Sequence, residues 1–170
     1  TLNQKSDLRG WLQLLSHLGV VFFASYLHAI AMGTWWVLIT GFVLGVFLNF
    51  LYAAQHELSH STVFRNRKMN EVWGRIIGFL MFFPRDFDQI MHFAHHQYTG
   101  DWEKDGELVR EPFTFFTYLL WFLSITYWKN RILGICRRAF GVVLEPFVRR
   151  EEEKKIIIES RLHLFFYLVI

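Results

Sequence analysis

From Gly10 to His56 the chain carries no Asp, Glu, Lys or Arg, a run of 47 residues. One membrane span needs about 20 apolar residues, so this run is too long for one crossing and fits two joined by a tight connection. A soluble helix pair of this length would need a polar face to meet water, and the run offers none. It is also too long for a secretory signal, and no small-residue cleavage site follows it. With 53% hydrophobic residues, the whole chain is more apolar than an ordinary soluble domain. The fold class expected is therefore an all-α integral membrane protein. The first span is expected at about residues 11–32 and the second at about 37–54. Gly33-Thr34 forms the turn, and Trp35-Trp36 lies at the interface as part of an aromatic belt. Gly41 and Gly45, four apart in the second span, would allow close helix approach or be tolerated membrane glycines.

Charges resume with Glu57, Arg65, Arg67 and Lys68. Basic residues gather on the cytoplasmic side of membranes, which places both ends of the hairpin there. The apolar stretch Val72–Phe83 is too short to span, is interrupted by Arg75 and is closed by Pro84, so it reads as an interfacial or buried helix. A charged stretch from Asp101 to Glu111 leads to Pro112. Phe113–Trp128 is apolar and marginal in length for a span. The segment after it holds Lys129, Arg131, Arg137, Arg138, Arg149, Arg150, Lys154 and Lys155. That basic density favours an interfacial or re-entrant helix over a crossing. Glu151-Glu152-Glu153-Lys154-Lys155 reads as a solvated charge run, and a third span is expected to begin near Leu162. The chain starts at Thr1 and stops at Ile170 inside an apolar run, so it reads as one incomplete domain, a fragment.

The net charge is +3 and the pI about 9.1, which the cytoplasmic bias of Lys and Arg accounts for. No basic, aromatic-interleaved surface suggests nucleic-acid binding. Cys136 is the single cysteine, so an internal disulfide and a CxxC zinc site are excluded, and it reads as an inert buried thiol.

Five of the eight histidines fall in two clusters beside apolar segments. His56 and His60 are four apart. His92, His95 and His96 are three and four apart. On a helix these spacings put each set on one face. Histidine is the commonest metal ligand. Five imidazoles exceed what one catalytic zinc takes from a protein and fit two metals better. Imidazole suits iron, zinc, copper and nickel, so ligand type alone leaves the metal open. Asp86 and Asp88 precede the second set, where they could hydrogen-bond its imidazoles or lie in a solvated loop. His17 and His28 in the first span and His163 near the last read as hydrogen-bonded structural histidines. Asn49 reads as packing glue.

HELSH at 56–60 followed by HFAHH at 92–96 resembles the first two histidine boxes of the membrane fatty acid desaturase superfamily. That superfamily also holds alkane hydroxylases and carotenoid ketolases and hydroxylases. The likeness covers roughly Val37 to Leu108 closely and includes Thr99 and the acidic stretch Asp101–Glu107. Family members often carry Asp-Pro there, whereas Gly106 follows Asp105 here. The resemblance implies a third HxxHH box after two further spans. It also implies two non-haem iron ions held by His56, His60, His92, His95 and His96, with O2 as co-substrate. The substrate would be a lipid acyl chain entering from the bilayer. Electrons would come from a ferredoxin or a cytochrome b5-like donor on the cytoplasmic side, and the fragment alone would be inactive. Desaturation is the reaction expected, with hydroxylation or ketone formation on alkane, lipid or carotenoid as the alternative. HELSH also fits HExxH, in which two histidines bind zinc and the glutamate acts as base. That intramembrane protease reading leaves HFAHH unexplained. Under the oxygenase reading, Glu57 either orients an imidazole or is a plain interfacial carboxylate.

Overall fold

A computed structural model describes residues 5–108 and 114–170, all helix and loop with no strand among them. Arg110, Glu111, Pro112 and the first residue of the expected helix Phe113–Trp128 lie outside the described residues. The chain divides into two compact units, Thr1–Met81 and Phe82–Ile170.

The first unit is a long helical hairpin and a short third helix. Helix α1 runs Asp7–Ile30 and α2 runs Trp36–Ser59. Each has 24 residues, about 36 Å at 1.5 Å per residue, enough to cross a ~30 Å hydrocarbon layer. Large apolar side chains face outward along both: Phe22 is 76% exposed and Phe42 74%. A water-soluble hairpin could not present such a surface; a bilayer covers it. Gly33 makes the turn with a φ of 83°, a left-handed conformation that glycine adopts without steric cost. Trp35 is 88% exposed at that turn.

His28 Nδ1 hydrogen-bonds Thr40 Oγ1 at 3.2 Å, linking the two long helices. A Cβ on Gly41 would lie 3.2 Å from His28 Cε1, whereas one on Gly45 would meet nothing within 4 Å. Of the two glycines, only Gly41 serves a close approach.

The charged end of the hairpin is organised around Phe64, which is fully buried. Trp11 meets Phe64 and Trp73 edge-on, with ring centroids 5.2 and 5.5 Å apart. The buried Asn70 amide donates to Phe64 O at 2.8 Å and its oxygen accepts from Phe64 N at 3.0 Å. Asp7 accepts from Arg65 N at 2.7 Å, tying this loop to the start of α1. Helix α3 spans Arg67–Leu80, with Asn66 accepting from Lys68 N at its start. That cap explains why the helix begins before Val72. It ends at Leu80, short of the expected Phe83, where the chain turns through Met81. Ile77 is buried while Val72, Ile76 and Leu80 are exposed, so α3 has one packed face and one apolar open face.

A Cβ on Gly10 would sit 2.5 Å from the Val63 carbonyl oxygen. This contact is with backbone, which yields poorly. Gly10→Ala is expected to destabilise the first unit by about 1–3 kcal/mol, and Gly45→Ala to be neutral. Thermal unfolding of the detergent-solubilised protein tests the pair; equal melting temperatures would contradict the packing.

The second unit contains α4 (Arg85–Tyr98), α5 (Phe115–Phe122), α6 (Ile125–Ala139) and α7 (Arg150–Val169). The expected single helix ending at Trp128 is instead two helices. They break at Ser124, whose φ of 59° is left-handed. Helix α5 has 8 residues and α6 has 15, about 12 and 22 Å, so neither can cross a bilayer as a straight helix. The charge run Glu151–Lys155 is solvated as expected, with Glu151, Lys154 and Lys155 exposed, and it is helical. Glu151, Glu152 and Glu153 form the first turn of α7, where Glu152 accepts from Arg149 N at 3.3 Å and from its guanidinium at 2.9 Å, and acidic residues suit the helix dipole. Leu162 lies within this unbroken helix. Arg161 Nε donates to Ala139 O at 2.8 Å, closing the C-terminal end of α6. Glu145 pairs with Arg137 and Arg138, and the Arg138 guanidinium lies 3.8 Å over the Phe87 ring. Cys136 is half-buried, not fully buried.

Candidate metal centre

In the first unit His56 lies in the last turn of α2 and His60 is its C-cap residue. His56 and His60 share a face, their ring centroids 4.8 Å apart. Their ligand atoms lie within 4.8 Å of each other. His56 Nδ1 meets Glu57 Oε1 at 3.2 Å. Thr62 Oγ1 donates to Glu57 Oε2 at 2.7 Å and also reaches Glu57 O at 2.8 Å. Glu57 is thus anchored by the following loop and braces its neighbour's imidazole.

In the second unit α4 carries the other three histidines on its final turns. His92 and His96, four apart, bring their Nε2 atoms to 3.0 Å. His92 Nδ1 donates to Glu107 Oε1 at 2.8 Å, which leaves the His92 Nε2 lone pair directed at His96. His95 Nδ1 meets both oxygens of Asp105, at 3.0 and 2.9 Å. Its Nε2 lies 3.9 Å from Glu107 Oε2. His56 is gathered with His60 and His92 with His96, whereas the His95 ring lies 6.2 and 6.0 Å from those of His92 and His96 and stands apart from them.

Asp105 is fully buried. It accepts from Gly100 N at 3.1 Å and Glu107 N at 3.0 Å, so the loop after α4 curls around one carboxylate. Burial pushes its pKa up, but the amides of Glu107 and Gly100 and the His95 ring outweigh it and hold the group below its ordinary value. It is charged at neutral pH and accepts the His95 Nδ1 proton. A Cβ on Gly106 would lie 2.4 Å from Phe147 Cε1 and 2.9 Å from Met91 Cγ. The Phe147 ring fills the space a side chain would need, which accounts for glycine after Asp105.

Asp86 and Asp88 were read as either hydrogen-bonding the imidazoles of the second set or lying in a solvated loop. Neither lies in a solvated loop: both are buried in the first turn of α4. Asp86 is engaged by Arg85 Nη1 at 2.8 Å and Lys155 Nζ at 3.0 Å. His92 and His95 are braced by Glu107 and Asp105. The acidic stretch after HFAHH was the signal that could have found them.

A histidine braced at Nδ1 by a carboxylate presents Nε2 as a basic ligand in a fixed orientation. His56, His92 and His95 all have this arrangement. The 3.0 Å between the Nε2 atoms of His92 and His96 matches two nitrogens about 2.1 Å from one ion at right angles. The donor set is thus chemically fit for a borderline transition metal.

The family model for fatty acid desaturase matches residues 33–170. Fatty acid desaturase 3 of Bos taurus is 26% identical over 121 residues, covering 69% of this chain and 26% of the relative. The chain thus spans about a quarter of that relative's length. No solved structure matches. Both histidine sets and α2 lie within the matched residues, α1 lies before them, and the chain belongs to the fatty acid desaturase family.

Proposed function

We propose that the complete protein is a membrane-bound, O2-dependent di-iron oxidoreductase that inserts a double bond into a fatty acyl chain. The observation that carries this reading is the convergence of the His92 and His96 Nε2 atoms on a helix backed by Glu107 and Asp105, in a chain of this family. His56, His60, His92, His95 and His96 would hold the two irons, with the third box implied by the resemblance completing the set. Bound iron supplies the O2 activation and oxidising power that no side chain offers against an unactivated C–H bond.

The chain's own residues do the rest. Glu57, Glu107 and Asp105 keep the Nδ1 protons of His56, His92 and His95 in place, so that Nε2 is the ligand atom. The exposed apolar hairpin keeps the protein in the lipid where its substrate resides. A cytoplasmic face for both sets would let a ferredoxin or cytochrome b5-like donor approach from water, a placement favoured by the Arg and Lys residues that follow α2.

The test is expression of the complete protein in host membranes with an electron donor, followed by mass spectrometry of the acyl chains. A product lighter by two hydrogens is expected. A hydroxylated product would move the protein to the hydroxylase branch, and no oxidised lipid at all would overturn the reading. Glu57→Gln discriminates the zinc protease alternative. Because Glu57 braces His56 and Thr62, the variant is expected to keep measurable oxidation, lowered about 10- to 100-fold. A hydrolase dependent on Glu57 as base would lose peptide cleavage outright with zinc still bound.

A further inference from the structure

We propose that Glu159 is a positioning residue for the second histidine set: it supplies the N-cap of the helix that carries His92, His95 and His96. The inference rests on the metal-centre reading above. The first N–H groups of any α-helix lack intrahelical acceptors. Helix α4 starts after Pro84, which makes no side-chain cap, having no side-chain oxygen to offer. Yet Asp86 and Phe87 are both buried, so water does not satisfy them.

Glu159 does, from α7. It is itself only 6% exposed. Its Oε1 accepts from Asp86 N at 2.9 Å, and its Oε2 accepts from Asp86 N at 3.0 Å and Phe87 N at 3.2 Å. A carboxylate here also suits the positive end of the helix dipole. One turn earlier on α7, Lys155 Nζ reaches Asp86 Oδ1 at 3.0 Å, and Arg85 Nη1 reaches the same oxygen at 2.8 Å. Helix α7 therefore grips the first turn of α4 with an anion on its backbone and a cation on its side chain. His92 lies two turns further along the same rod. Metal ligands tolerate displacement of only about 0.5 Å, so a frayed or shifted first turn would reach the imidazoles.

The experiment compares the complete protein in detergent as wild type, Glu159→Ala, and Glu159→Ala with Pro84→Ser. Serine is a strong N-cap, so it lets α4 cap itself. Two quantities are read: hydrogen–deuterium exchange of the α4 peptide and iron bound per protein. Glu159→Ala is expected to speed exchange in the first turns of α4 about tenfold and weaken iron binding about tenfold. Adding Pro84→Ser is expected to restore both, which simple loss of a buried side chain could not explain. Wild-type protection in Glu159→Ala, or no rescue in a folded double variant, overturns the proposal. If Glu159→Ala does not fold, Glu159→Gln, which keeps one acceptor, is read the same way and is expected to show a smaller shift in the same direction; no shift in it also overturns the proposal. A wild-type protein that binds no iron under any loading condition would sink the metal-centre reading instead, and the exchange arm would still decide the capping role.

Discussion

Replacing His96 by alanine in the complete protein is expected to remove bound iron and bring acyl oxidation below the ~100-fold loss that follows removal of an outer partner alone. His96 Nε2 lies 3.0 Å from His92 Nε2, so it is half of a ligand pair poised to share one ion. His95→Ala is expected to behave in the same way. His28→Ala is the matched control. Its imidazole is committed to Thr40 in the hairpin, and its loss should leave the iron content unchanged while lowering thermal stability. Iron measured per protein, alongside activity in the same preparations, checks the contrast. Full iron in His96→Ala would remove it from the ligand set.

The second large effect is expected from Asp105→Asn. The carboxylate presents acceptors only, and uses them on Gly100 N, Glu107 N and His95 Nδ1. Asparagine replaces one oxygen with an NH2 group, which can only donate. If that group faces a backbone amide, two donors collide. If it faces His95 Nδ1, it drives the imidazole proton to Nε2, the atom needed for the metal. Either orientation injures the site with almost no change in volume. Iron affinity is expected to fall about 10- to 100-fold, measured by iron retained through dialysis against a graded chelator. An affinity equal to wild type would show that Asp105 closes the loop without governing the imidazole.

The hairpin and both histidine sets were legible because their information is local. A charge-free stretch fixes α1 and α2, and spacings of three and four place imidazoles on a helical face. The partners of those imidazoles were not local. Asp105 lies 10 residues from His95 and Glu107 lies 15 from His92, and only the curl of the intervening loop decides that these carboxylates turn back. Asp86, near the second set in sequence, read equally as an imidazole partner or part of a solvated loop. It is held by Arg85 and by Lys155 on another helix. The break at Ser124 was equally hidden, since the apolar stretch around it holds no glycine or proline. The acidic run at Glu151–Glu153 is largely solvent-facing, as its composition suggests, but its place in the first turn of α7 was not visible, because it depends on Glu152 reaching back to Arg149.

Phe147 carries a consequence for how such a chain can vary over time. Its ring occupies the volume that any Cβ at position 106 would claim, immediately beside the carboxylate that holds His95. The two positions are therefore a single choice. A larger residue at 106 becomes tolerable only after the aromatic ring at 147 has given way, and the reverse order passes through a loosened site. The room denied to a side chain at 106 is thus set by a residue some forty positions further along the chain.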